Sequence, residues 1–283
     1  MTRRLAAAGV LGAGLGLAGG AAAPIPRRIV SLNACLDVAL VNLAERSRIA
    51  ALSHYAREPY GSTIAELAKT LPITHENAEE VVALRPDLVL ASPHNSLATR
   101  HSLALLGVRL ETFSVPESVE ETLAQVRRMA LLVGRSERGE ALVARIRAAL
   151  AAAAPKPGEP RLTAAIYEPN GFAAGSGTLV SEMMQRCGFD NVAGRYGLQK
   201  WGNIPLESLV ADPPQVLLAG ELSPGAPTWA ERVISHPALA RLAGRMYRAT
   251  FPQRLLYCGG PVLIVTAATL ARAREDALRS LKA

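Results

Sequence analysis

Aromatic side chains are scarce in this chain: two Trp, six Tyr and four Phe, or 4% of 283 residues. Each ring therefore has to be located, because few are available for packing alone. Cysteine is scarcer and odd in number. Three thiols cannot close into pairs, so at least one is free, liganded or joined to another molecule. Beyond the first 23 residues no uncharged run approaches the ~20 apolar residues that a membrane span needs. Charged residues make up 19% and hydrophobic ones 49%, which excludes disorder along the whole length and allows a substantial core. Signatures of catalysis are missing too: there is no P-loop, no G-x-S-x-G elbow and no H-E-x-x-H. The glycine-rich stretch Asn170 to Gly177 lacks the lysine of a phosphate cradle and the spacing of a dinucleotide fingerprint. No short internal repeat is visible.

What is present begins with charge. The formal +7 and pI near 9.7 would on arithmetic alone permit a nucleic-acid partner. Residues 1–23, MTRRLAAAGVLGAGLGLAGGAAA, change that reading. Two arginines precede a charge-free run of Ala, Gly, Leu and Val that ends in small residues, the pattern of a secretory signal peptide. Cleavage is expected near Ala21 to Ala23, with Pro24 disfavouring the last of these bonds. Thr2-Arg3-Arg4-Leu5 weakly resembles a twin-arginine start, and no cysteine follows to carry a lipid anchor. Export would remove Arg3 and Arg4, separate the protein from nucleic acid and place it where disulfides persist.

The rest of the chain alternates strand and helix. Short apolar runs at Ile29 to Leu32, Ile49 to Leu52, Leu88 to Ala91 and Val108 to Phe113 are separated by helical segments, and Asn77 opens one of these with Glu79 and Glu80 in its first turn. A second series runs from Leu162 to the end. The pattern predicts an α/β protein of two Rossmann-like lobes with largely parallel, covered sheets and a ligand cleft between them. The expected boundaries are a signal peptide at 1–23 and a first lobe at 24–117. A long connecting helix follows at 118–154, kinked near Gly134, and then a second lobe at 155–283. Ligands of open α/β sheets bind beyond the carboxyl ends of the strands. Those ends are the loops Asn33 to Cys35, Ser53 to Tyr60, Ser92 to Asn95, Glu168 to Thr178 and Phe251 to Gly260. The residues alone therefore indicate an exported, two-lobed binder of a small ligand, not an enzyme.

Five stretches then carry a resemblance: RRIVSLNACLDVALVNLA, ENAEEVVALRPDLVLASP, LALLGVRLETFSVPESVEETLAQVRRMALLVG, GFAAGSGTLVSEMMQRCGFDNVA and IPLESLVADPPQVLLAG. In order and spacing, over about residues 28–280, they resemble the periplasmic solute-binding proteins of ABC importers for vitamin B12, iron–siderophores and haem. The resemblance implies two lobes bridged by a long helix, a monomer without a required cofactor, and a metal-chelate ligand, a corrinoid before a ferric siderophore or haem. It also implies delivery to a permease and ATPase complex in the inner membrane. Glu79 and Glu207 match the surface acids, one per lobe, that meet permease arginines, with Glu80 the neighbouring candidate; otherwise both are solvated first-turn helix acids. Phe172 and Trp201 stand where the vitamin B12 binders place rings against the corrin, and Tyr55 or His54 would complete that wall. The other reading of Phe172 is packing behind the glycine loop.

Cysteine placement departs from the usual pattern of that family. Cys35 starts the first helix and Cys258 precedes Gly-Gly-Pro261 at the start of the last, so both lie near helix N-termini at the expected cleft, where a thiol's pKa falls. They are candidate soft ligands, with His54 or His75, for a metal or metal complex. The alternatives are a Cys35–Cys258 disulfide, a Cys187–Cys258 disulfide, or ordinary packing. Direct metal binding, or a metal-dependent extracytoplasmic enzyme using Cys35 and Cys258, is the competing class, although three spaced cysteines are few for a cluster. For haem, Tyr55, Tyr60, His54 and His75 could supply an axial ligand; for a ferric siderophore, Arg57, Arg100 and Arg254 could face the anionic chelate. His94, His101 and His236 read as structural.

Overall fold

The computed structural model describes residues 24–221 and 228–281. The signal-peptide expectation for residues 1–23 lies outside the described residues.

The first lobe runs β1 (Ile29–Ser31), α1 (Ala34–Leu43), β2 (Ile49–Ser53), α2 (Ala65–Ala68), β3 (Ile73–Thr74), α3 (Ala78–Ala83), β4 (Leu88–Ala91), α4 (Leu97–Leu105) and β5 (Leu110–Thr112). Its strands form one sheet in the order β3-β2-β1-β4-β5, every pair parallel. β4 is buried at all four positions, as an interior strand of a sheet covered on both faces should be. Helix starts are chemically marked. Asn33 accepts from the backbone N–H groups of Cys35 and Leu36, Asn77 accepts from that of Glu80, and Ser96 from that of Thr99. The chain leaves β1 to build β2 on one side and returns to place β4 on the other, so the order reverses between β1 and β4. That switch point is where an open α/β sheet leaves a crevice.

Two helices follow, α5 (Val119–Leu132) and α6 (Ser136–Ala153). The expected single kinked helix over 118–154 is instead a hairpin. Gly134 adopts φ +68, its N–H donates to the Leu131 carbonyl, and the Arg135 N–H donates to the Ala130 carbonyl, which closes α5 with the left-handed stop that glycine permits. The chain then doubles back. Arg127 pairs with Glu140 at 2.8 Å and Arg147 with Glu120 at 3.4 Å, a register that only antiparallel helices can make. α6 alone carries the chain toward the second sheet, a rise of about 27 Å for its 18 residues.

The second lobe comprises β6 (Leu162–Tyr167), β7 (Phe172–Ala174), α7 (Leu179–Arg186), β8 (Phe189–Asn191), β9 (Trp201–Asn203), α8 (Leu206–Ala211), β10 (Val216–Ala219), α9 (Trp229–Ile234), α10 (Pro237–Ala240), β11 (Tyr247–Thr250) and α11 (Val262–Ser280). β11-β10-β6-β8 form a second parallel sheet, while β7 and β9 pair separately as an antiparallel ribbon. One hydrophobic core is continuous through both lobes. It joins Ile29, Leu40 and Leu90 of the first to Val126 and Ile146 of the helical hairpin and on to Ile166, Met183 and Leu263 of the second. The lobes are thus fused through packed helices, an arrangement that favours small shear over wide hinge opening. Among the described residues no helix is long and apolar enough to cross a membrane.

Candidate functional site

A cavity of about 440 Å³ lies where the carboxyl ends of β1 and β4, helix α5 and the second-lobe loops converge. This size is ordinary for a small-molecule site. The first-lobe wall comes from the switch point. Asn33, at the end of β1, uses its side chain to cap α1 and to donate to Ser92 Oγ at 3.4 Å. Ser92 Oγ also accepts from the His94 backbone N–H at 3.2 Å, and buried Asn95 accepts from the Ser92 N–H at 2.7 Å while donating to the Leu32 carbonyl. The turn is therefore locked, and it delivers the exposed His94 to the cavity. From α5 come Thr122, Gln125, Val126 and Met129, the Thr122 hydroxyl donating to the Ser118 carbonyl and the Gln125 amide to the Ser114 carbonyl.

The opposite wall is aromatic. β7 and β9 pair with Phe172 opposite Asn203 and Ala174 opposite Trp201. Phe172 and Trp201 are thereby diagonal neighbours on one face of the ribbon, within reach of each other's rings. Their centroids lie 5.6 Å apart with planes 4° from parallel. Tyr257 completes a cluster of three, 5.6 Å from Trp201 and 6.3 Å from Phe172. Trp201 and Tyr257 each keep 41% of their surface exposed, so two of the largest side chains present open faces to the cavity. Among the described residues no Asp, Glu, Lys or Arg lines it.

Cys35 and Cys258 are joined in a disulfide with Cα atoms 5.0 Å apart. This corrects their assignment as a pair of soft metal ligands, since in the bridge neither sulfur is the thiolate that binds metal. The bond ties the start of α1 to the loop before α11, and so lobe to lobe, at the edge of the cavity that Cys35, Gly259 and Gly260 help to line. Gly259 approaches α5 so closely that a Cβ there would stand 2.8 Å from the Thr122 hydroxyl. Cys187 is buried and free, and burial pushes its thiol up to about 11, which also corrects a Cys187–Cys258 pairing. Among the described residues no group of three or more His, Cys, Asp or Glu could hold a metal ion.

The periplasmic binding protein family model matches residues 29–244. The chain belongs to the periplasmic binding proteins. Over 202 residues it is 26% identical to a cobalamin-binding protein of Halobacterium salinarum, an alignment taking in 69% of this chain and 54% of that one. The chain thus spans about half the length of the curated relatives it matches. Among solved structures, a periplasmic haem-binding protein from Pseudomonas aeruginosa is similar with a TM-score of 0.69 at 24% identity, covering 88% of this chain and 92% of that one. The periplasmic vitamin B12-binding protein of Vibrio cholerae follows at 0.67 and 15%, covering 90% and 99%. At these identities the likeness is one of fold. Family and fold are those of binding proteins.

In this periplasmic binding protein the structure brings Phe172, Trp201 and Cys35 to the cavity, and Cys258 beside it. It leaves out His54, Tyr55 and His75. His54 stacks between Tyr55 at 3.9 Å and His75 at 5.2 Å, in a group apart from the cavity lining. The reason is topological: these residues follow β2 and β3, which lie outside β1 and away from the crevice between β1 and β4. Tyr60 is likewise outside the lining. The wall that Tyr55 or His54 was expected to finish is finished by Tyr257, and His94, read as structural, lines the cavity. Tyr257 lies in a loop already marked as a strand-end loop, next to a cysteine already singled out; His94 lies in another such loop. The three arginines weighed for an anionic chelate are occupied elsewhere. Arg57 donates to the Ala68 and Leu71 carbonyls, Arg100 to the Asn95 carbonyl, and Arg254 pairs with Glu221 at 2.6 Å.

Glu79 and Glu207 are both exposed and make no ion pair among the described residues, whereas Glu80 turns back to accept from the His75 N–H and the Thr74 hydroxyl. Those hydrogen bonds hold its carboxyl below the usual range. Two further acids are buried, Asp37 in the first turn of α1 and Glu168 just after β6. Asp37 accepts from the Ser53 hydroxyl and N–H, yet burial raises it to about 7. Glu168 has no hydrogen-bond partner on either oxygen among the described residues, and burial, with neighbouring Glu221, raises it to about 8.

Proposed function

We propose that this protein is the ligand receptor of an ABC importer and that its cargo is a corrinoid, captured in the periplasm after signal-peptide removal and handed on without chemical change. The observation that carries this reading is a cavity walled on its second-lobe side by a cluster of three aromatic rings and, among the described residues, lined by no Asp, Glu, Lys or Arg. A flat macrocycle gains from such faces, because rings bury much area at low conformational cost. Haem brings two carboxylates and ferric siderophores commonly bring anionic chelating groups, for which a site provides cations. A corrinoid periphery of neutral amides needs none, and it matches the name of the Halobacterium relative.

Delivery follows from where the two free acids stand. Glu79 lies in the first turn of α3, which leads into β4, and Glu207 in the first turn of α8, which leads into β10. A helix that packs antiparallel to the strand it precedes starts at the carboxyl edge of the sheet. Both acids therefore stand on the cleft side, one per lobe, positioned to meet permease arginines while the receptor, acting as a monomer, presents its ligand. Titrating the purified protein with aquocobalamin, haemin and a ferric hydroxamate, followed by tryptophan fluorescence, tests the assignment. Saturable binding of aquocobalamin in preference to the other two is expected; tighter binding of haemin or the hydroxamate would overturn it.

A further inference from the structure

The polar side chains of the cavity are almost all committed inside the protein. Asn33 caps α1 and donates to Ser92, whose hydroxyl in turn accepts from Asn33 and His94 N–H. The Thr122 hydroxyl and Gln125 amide donate to main-chain carbonyls. The Tyr257 phenol is bonded to Gln253, and burial raises it above its usual range, so forming a phenolate there is costly. Cys35 is closed in a disulfide. The His94 imidazole differs from all of these: among the described residues it makes no hydrogen bond, ion pair or ring contact. Its backbone is nonetheless fixed by Ser92 and Asn95, so the imidazole is both available and positioned.

The aromatic cluster and His94 come from opposite lobes onto one cavity. A flat chelate lying against the rings turns its other axial face toward the first lobe, where the His94 imidazole stands uncommitted among the described residues. We propose that His94 is an axial ligand of the bound chelate's metal, taking the coordination position that a labile water holds in the free corrinoid. The step is a ligand exchange. The cobalt–water bond breaks and water leaves, an imidazole nitrogen lone pair forms the new cobalt–nitrogen bond, and no electron or proton is transferred. The function would be selection: corrinoids with an exchangeable axial position are held more tightly than those with both positions blocked. This inference rests on the corrinoid reading of the cavity.

The test uses two probes, diaquocobinamide with exchangeable axial positions and dicyanocobinamide with both filled, on the wild-type protein and on His94→Ala. Because His94 is exposed and its imidazole makes no hydrogen bond, ion pair or ring contact among the described residues, the variant should fold unchanged, which a thermal melt checks. Binding of diaquocobinamide to wild type should shift its visible bands to those that free imidazole produces. His94→Ala should bind it about tenfold more weakly, without the shift, and added imidazole should restore the shift. Dicyanocobinamide should bind both proteins equally. Binding to wild type with no band shift, or the same shift in His94→Ala, would overturn the axial role while leaving the corrinoid reading intact. Failure of either cobinamide to bind wild type would overturn the corrinoid reading itself.

Discussion

The two walls of the cleft are built on opposite plans. The first-lobe wall is a set of strand ends and turns whose polar atoms are hydrogen-bonded to one another, leaving His94 as the uncommitted group. The second-lobe wall is a two-stranded ribbon and a loop whose exposed rings touch mainly each other. One wall supplies a single positioned donor on a rigid frame, and the other supplies area. Binding strength should therefore depend more on the second wall and ligand discrimination on the first. Their relative placement depends on the continuous core and on the disulfide that joins them.

The sharpest way to break the comparison is at the surface, where each lobe contributes one acid. Glu79→Ala with Glu207→Ala should abolish uptake in cells while leaving ligand affinity of the purified protein unchanged. Each single variant should keep partial uptake, because one docking contact remains. Next in size is the bridge. Cys35→Ser with Cys258→Ser removes a cross-link spanning 223 residues and should cost about 2–5 kcal/mol of stability. Thermal melts should show the loss, and dithiothreitol should lower the wild-type midpoint but not that of the variant. Buried Cys187 cannot substitute, since burial holds it as an unreactive thiol. Trp201→Ala follows, removing one of the two most open rings of the second wall. It should weaken ligand binding roughly tenfold, about 1–2 kcal/mol, measured by calorimetry.

Beneath the walls the lobes differ again in how they bury an acid. Asp37 is held by Ser53, while Glu168 has no partner. The folded Glu168 keeps its proton to about 8, whereas in the unfolded chain it releases it near 4.5. Between those values the folded state binds the extra proton, so this group's contribution to stability falls as pH rises. Glu168→Gln should therefore stabilise the protein by about 1–3 kcal/mol at pH 8.5, with much less gain at pH 5. Equal gains at both pH values would show that the carboxyl does not titrate in this window.

Much of this architecture was legible in the residues. Buried strands such as Leu88–Ala91 are uniform apolar runs, and Asn77 and Ser118 mark helix starts by the chemistry of capping. Phe172 and Trp201 could be chosen because the family resemblance places rings at their positions. Gly134 signalled an interruption, but whether the chain bends or reverses there depends on a left-handed φ and on tertiary packing that no local pattern carries. The pairing of Cys35 with Cys258 was one alternative among several, because sequence separation says nothing about distance in space. Tyr257 has no periodic neighbours to betray its side, and the ribbon that aims Phe172 and Trp201 is two strands of three residues each, too short to show alternation.

The smallest expected effect is the most pointed test of the two-wall description. Tyr55 is aromatic and follows the second strand, which are the features that made it a wall candidate beside His54. By those features alone, Tyr55→Ala should weaken binding as Trp201→Ala does. The topology says otherwise. β2 lies on the far side of β1 from β4, so the loop after it is displaced from the switch-point crevice, and the Tyr55 ring lies against His54 instead of the cavity. Tyr55→Ala should leave affinity within about twofold of wild type, and His54→Ala should do the same. A tenfold loss on removing Tyr55 would mean that the loop after β2 also contributes an aromatic face, and the division of labour between a donor wall and a ring wall would fail.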